Sequence, residues 1–111
     1  MRRGDVVTVA DRSGEFTGKP RPAVLVQNDL VDVLDTVAMC PITSVDPGPD
    51  VRRFRFELMP SDHLPLRVRS WIEVDKIFAA RRRKLGRIIG RVSDAELARI
   101  TRALAILLAI A

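Results

Sequence analysis

The chain is poor in the side chains that serve redox, metal and acid–base chemistry. Among its 111 residues it has one cysteine, Cys40, and one histidine, His63. A lone thiol makes no intrachain disulfide and no thiolate cluster, which suits a reducing cytoplasm. A lone imidazole is too little for a paired-histidine ribonuclease or a metallonuclease. His63 therefore reads as a loop residue without a role. Cys40 falls inside a predicted strand, where a free cysteine is ordinarily a small buried hydrophobe. Long apolar runs are missing too. The longest, residues 103–111, is far short of the ~20 residues needed to cross a bilayer. No basic, apolar, small-residue leader opens the sequence, so no signal peptide is expected. Lysine is scarce, with only Lys19, Lys76 and Lys84.

Arginine is abundant by contrast. Nineteen Lys+Arg stand against fourteen Asp+Glu, for a net charge of +5. The cations cluster at Arg52, Arg53 and Arg55, at Arg67 and Arg69, and from Arg81 to Lys84 with Arg87. A planar guanidinium suits phosphate, and a small basic domain favours a nucleic-acid partner. The length is that of one domain, with 47% hydrophobic residues to build a core.

Short strands dominate the pattern. Residues 5–9, 22–27, 36–42, 52–58, part of 67–74 and 87–92 read as extended. In 52–58, Phe54, Phe56 and Leu58 share a core face, while Arg53, Arg55 and Glu57 face solvent. Pro41 suits a strand edge or end, since it has no N–H to donate. Gly86 and Gly90 read as turn positions flanking the last strand. Residues 81–85 read as one helical turn. Ser93, with Glu96 three residues on, predicts a capped helix carrying Leu97, Ile100, Leu104, Leu107 and Leu108 on one stripe. Ile106 and Ile110 widen that stripe, so a second subunit is expected to cover part of it. The expected fold is mainly β with a C-terminal helix: a small SH3-like β-barrel of five to seven strands. Arg3-Gly4-Asp5 imitates an adhesion motif but reads as the lead-in to the first strand. Trp71 reads as core, with base stacking as its other use.

Arg21 stands apart. Pro20 and Pro22 restrict the backbone on both sides of it. An arginine held at the mouth of a strand loses little entropy when it grips a phosphate. If the second and third strands are neighbours, Arg21 and Thr43 converge, and Glu15 lies in the loop before Arg21. A guanidinium, a hydroxyl and a carboxylate suit cleavage of RNA by its own 2′-hydroxyl. The carboxylate would take the 2′-OH proton. The other two would stabilise charge on the phosphorane. A guanidinium is effectively never deprotonated in proteins, so Arg21 is read as a stabiliser or proton donor and not as a base.

At these residues the sequence resembles the MazF/PemK family of toxin endoribonucleases. The resemblance rests on RGDV at residues 3–6, RPAVLVQND at 21–29, PITS at 41–44, EVDKI at 73–77 and the Ser93-capped helix. It covers nearly the whole chain in order, as one toxin domain over residues 1–111. It implies a CcdB/MazF-type barrel, a symmetric homodimer and metal-independent, sequence-specific cleavage of single-stranded mRNA, with no cofactor. It further implies a cognate antitoxin whose C-terminal tail occupies the RNA groove. By motif, Arg21 and Thr43 correspond to the catalytic arginine and threonine, and Glu15 to the loop glutamate. Lys19, Arg53, Arg55, Arg69 and Gln27 are the expected RNA-binding residues. Two alternatives remain open on the same barrel: a CcdB-like inhibitor of DNA gyrase, and a nucleic-acid-binding module without activity.

Overall fold

The computed structural model describes residues 1–10 and 20–110. Seven strands form one antiparallel sheet: β1 (Asp5–Val9), β2 (Arg21–Leu25), β3 (Thr36–Thr43), β4 (Arg55–Leu58), β5 (Ser70–Glu73), β6 (Phe78–Arg81) and β7 (Leu85–Arg91). The helix α1 (Asp94–Leu107) follows. The strand order is β4-β5-β3-β2-β1-β7, with β6 also paired to β3. The sheet curls but does not close: β4 and β7 end the ladder at its two edges. The expected small SH3-like barrel of five to seven strands is present as a seven-stranded sheet that stays open. A curled open sheet capped by one helix is what the strands build.

β3 organises the curl. Its first half, Thr36–Met39, pairs with β6, and its last two residues, Ile42 and Thr43, pair with β5. Between them, β3 exchanges one partner for another. Val26 N–H donates to Ala38 O on the β2 side. By strand alternation, the nitrogen of Pro41 faces the other side, in the gap between β6 and β5. Pro41 therefore costs the ladder no hydrogen bond, although β3 is a central strand and not an edge.

Two apolar clusters lie on the two faces. The larger unites Val6, Val24, Cys40, Ile42, Phe56, Leu58 and Ile72 with Ile100, Ala103 and Leu104 of α1. The smaller unites Val7, Val9, Ala23, Leu25, Val37 and Met39 with Ala80, under the cover of β6. The strict alternation of strand side chains produces both. The predicted capping box is present: Glu96 N–H donates to Ser93 Oγ and Ser93 N–H to Glu96 Oε1. Leu97, Ile100 and Leu104 turn inward as their spacing predicts, while Leu107, Leu108 and Ile110 are 38%, 55% and 77% exposed.

Only β1 keeps the bounds that the sequence pattern gives. β4 begins at Arg55, because residues 52–54 turn away. The part of 67–74 that is extended shrinks to Ser70–Glu73. β6 was invisible, since Phe78–Arg81 is too short to alternate clearly. Gly86 and Gly90 lie inside β7 and are not turns. A Cβ at Gly86 would collide with Thr8 Oγ1, and one at Gly90 would sit 2.8 Å from His63 O. Close approach of neighbouring chain, and not a reversal, demands glycine there.

The Arg3-Gly4-Asp5 lead-in is tied down. Arg3 Nε donates to Val26 O and its NH2 to Thr101 Oγ1 of α1. Asp5 is buried and accepts from Arg91 NH1 at 3.2 Å. These are structural braces and leave no loop to display.

Candidate active site

The β2–β3 register builds the site. Ala23 opposes Pro41, Val24 opposes Cys40 and Leu25 opposes Met39. Continued two residues beyond Ala23 and Pro41, the same antiparallel register would bring Arg21 towards Thr43. Residues at even spacing share a face, so both stand on the face of Ala23 and Pro41. Arg21 is exposed and Thr43 half-buried. On its other side Arg21 opposes Val9 of β1. The second and third strands are neighbours, the condition on which the convergence of these two residues was expected.

The chemistry of the pair is legible in its surroundings. Thr43 Oγ1 accepts a hydrogen bond from Val45 N–H at 3.2 Å. That contact uses an oxygen lone pair and leaves the hydroxyl proton available for donation. Among the described residues the Arg21 guanidinium makes no ion pair. A cleft of about 140 Å³ opens beside it, walled by Val9, Ala10, Ala23, Pro41 and Phe78. A second cleft of about 250 Å³ shares Val9 and Ala10 as a wall and adds Arg81 and Lys84. Those two cations were seen in the sequence only as a basic run. The fold brings them beside Val9 and Ala10, which also wall the Arg21 cleft, and no local pattern signals it. Glu15 and Lys19 lie outside the described residues.

The other expected RNA ligands are placed differently from one another. Arg53 is exposed in the turn before β4. Arg55 forks onto Asp75, with Nε to Oδ1 at 2.8 Å and NH2 to Oδ2 at 2.7 Å. Arg69 forks onto Glu57 at 3.0 and 2.9 Å. These hydrogen bonds hold the carboxyls of Asp75 and Glu57 below their ordinary values and raise both arginines. Two of the basic residues on this face are therefore already partnered by carboxylates. Gln27 sits beyond the far end of β2, roughly 20 Å along the strand from Arg21 at ~3.3 Å per residue. Its Oε1 accepts from Ala38 N–H and its Nε2 donates to Val31 O. There it braces the β2–β3 connection.

Cys40 is fully buried, and desolvation pushes its thiol up to about 12. It is a packing residue, as expected of a cysteine in a strand. Thr43 also opposes Trp71 of β5, and Arg69 lies 5.0 Å above that indole ring. No helix among the described residues is long and apolar enough to cross a membrane.

A curled, open antiparallel sheet of seven strands capped by one helix defines the fold class. Comparison with known proteins gives its family. The model of the PemK-like, MazF-like toxins of type II toxin–antitoxin systems matches residues 2–108. The "Probable endoribonuclease MazF" of Mycolicibacterium smegmatis is 37% identical over 111 residues, 100% of this chain and 99% of that protein. A mycobacterial endoribonuclease solved in complex with its cognate antitoxin superposes with a TM-score of 0.78 at 21% identity, over 100% of this chain and 97% of that one. A MazE–MazF structure from Deinococcus radiodurans gives 0.74 at 22%, over 97% and 94%. The chain belongs to the PemK/MazF family of type II toxins. The relatives' names disfavour the gyrase-inhibiting alternative.

Proposed function

We propose that this toxin is a metal-independent endoribonuclease of single-stranded RNA, acting in the cytoplasm as one domain over residues 1–111. The observation that carries the reading is the β2–β3 register, which, continued two residues beyond Ala23 and Pro41, would set Arg21 across from Thr43 at an open strand end. The relative's name, "Probable endoribonuclease MazF", supports it.

In this reading the 2′-oxygen of a ribose attacks the adjacent phosphorus, and the 5′-oxygen of the next nucleotide leaves. The products are a 2′,3′-cyclic phosphate and a 5′-hydroxyl. Arg21 stabilises the charge that grows on the phosphorane oxygens. Thr43, its oxygen oriented by Val45 N–H, donates a hydrogen bond to one of them, and the departing 5′-oxygen takes its proton from solvent. Glu15 takes the 2′-OH proton. Arg81, Lys84, Lys19 and Arg53 extend the positive path for neighbouring phosphates, with Arg55 and Arg69 joining it when phosphate displaces their carboxylates. Gln27 acts on RNA, if at all, through the connection it braces.

A second copy of the chain would cover the exposed apolar residues Leu107 at the end of α1, Leu108 and Ile110 just beyond it, and Ile88 and Ile89 of β7. Relatives solved with antitoxin support a cognate antitoxin for this chain too, its C-terminal tail lying in the RNA groove. Light scattering at micromolar concentration should give a dimer mass. The decisive assay incubates the antitoxin-free protein with a long single-stranded RNA in EDTA, beside Arg21→Ala. Discrete fragments ending in 2′,3′-cyclic phosphate, absent with the variant, are expected. Equal cleavage by the variant would remove Arg21 from the mechanism, and no cleavage by the folded wild type would leave a binding module.

A further inference from the structure

Trp71 is buried in an unusual way. It is 3% exposed, yet it belongs to neither apolar cluster. Its Nε1 is the one buried side-chain polar atom without a hydrogen-bond partner among the described residues. A buried donor with no acceptor is costly, and native structures rarely keep one without a reason. Part of its cover is charged. The guanidinium of Arg69 lies 5.0 Å from the ring centroid, while the Arg69 side chain is itself 67% exposed. Glu57 holds that guanidinium with two hydrogen bonds.

Position gives this arrangement a meaning. Thr43 and Trp71 oppose one another in the β3–β5 ladder. Directly opposed residues share a face, with Cβ atoms ~5 Å apart. Glu57 opposes Trp71 from the other side. The outer face therefore runs Arg21, Thr43, Trp71, Glu57 across four adjacent strands. A nucleotide whose phosphate lies between Arg21 and Thr43 has its neighbour over Trp71.

We propose that Trp71, beneath the Arg69–Glu57 pair, is a nucleobase subsite of this ribonuclease. An unpaired base of the RNA stacks there once Arg69 has moved onto a phosphate. The inference rests on the ribonuclease reading above. Exposed ion pairs hold weakly, and a phosphate offers the guanidinium the same forked acceptor with more charge. The cation now over the ring occupies the place of a base's π-face, and ring stacking accepts any base. The orphan Nε1–H gains a carbonyl or phosphate oxygen in the bound state. The chain's sequence selectivity would then depend on residues of β4 and β5 as well as on the site itself.

Trp71 is the only tryptophan, so intrinsic emission reports this subsite alone. The wild type first locates its cut site in a long transcript. A single-stranded RNA oligonucleotide spanning that site is then titrated into Arg21→Ala, which keeps Trp71, with binding followed by anisotropy. Emission should fall saturably with the same midpoint as the anisotropy. Glu57→Ala should leave the ring more accessible to acrylamide before RNA is added. Trp71→Leu, if it folds, should bind the oligonucleotide roughly 10-fold or more weakly. Binding with unchanged emission would overturn the subsite and leave the ribonuclease standing. A wild type that cuts no RNA would overturn both.

Discussion

Arginines at the two ends of β2 are used in opposite ways. At the start of the strand, Arg21 points from a pair of prolines into an open cleft, and among the described residues no carboxylate meets it. At the far end, the guanidinium groups are taken up by backbone carbonyls, by the Asp32 carboxylate and by the Thr101 hydroxyl. Arg82 Nε donates to Leu34 O and its NH2 to Asp32 O, both at 2.8 Å. Arg3 Nε donates to Val26 O at 2.9 Å. Gln27 and the Asn28 cap complete that end, with Leu30 N–H on Asn28 Oδ1. One end has cation to offer a substrate. The other has consumed its cations to hold an irregular connection whose Leu30 and Val33 remain 87% and 92% exposed. Beyond β3, at the β4–β5 edge of the sheet, Arg55 and Arg69 are clamped by carboxylates but near the surface. The same residue type thus serves as reagent, as brace and as a releasable clamp, and only its partners tell which.

Substitutions at the two ends should separate activity from stability. Arg21→Ala should lower the cleavage rate by ~10²–10³ with little change in melting temperature, because it removes one preorganised donor from an exposed position. Thr43→Val should follow with a loss of about 10² or less, since it removes a proton donor but keeps the shape. Single-turnover rates on an RNA carrying one cut site measure both, and a Thr43→Val enzyme of wild-type rate would reduce the site to Arg21. Arg82→Ala should do the reverse. It strands two carbonyls and should cost about 2 kcal/mol in denaturant unfolding, with cleavage per folded molecule unchanged. Gln27→Ala should cost about 1 kcal/mol in the same assay, by leaving Ala38 N–H unpaired. If it instead lowered RNA affinity at constant stability, the division between the two ends would fail.

The clamps should show themselves in acid, as the smallest effect. Glu57 and Asp75 titrate below their ordinary values when folded, because Arg69 and Arg55 hydrogen-bond them. A depressed carboxylate stabilises the fold above its unfolded value, near pH 4, and that stability is lost as pH falls through the folded value. The melting temperature should therefore be flat from pH 7 to about 5 and decline below about 4. Asp75→Asn should blunt the decline, and an unaltered profile would show that the Arg55 clamp contributes nothing in solution.

Much of this was readable from the chain. The Ser93–Glu96 box, the inward helix stripe, the buried face of Phe56 and Leu58 and the structural role of Cys40 follow from local pattern and are found as expected. Arg21 stood out because two prolines confine it, and Thr43 because it closes a strand. β6 did not stand out, for its four residues leave no periodicity to read. The fates of Arg55 and Arg69 were equally hidden. Asp75 lies 20 residues from Arg55 and Glu57 lies 12 from Arg69, so nothing near either arginine in the chain predicts its clamp.

Sequence alone determined the class of the molecule: a small basic sheet with one capped helix, and a confined arginine before its second strand. Those features depend on neighbours within a few residues, through proline restriction, side-chain alternation and helix capping. Tertiary structure decided which cations remain available. It left the curled sheet open, set Arg81 and Lys84 beside Val9 and Ala10, and set Trp71 opposite Thr43 beneath a paired arginine. A guanidinium takes its role from whichever acceptor the fold brings within 3 Å, and that distance is set across strands and not along them.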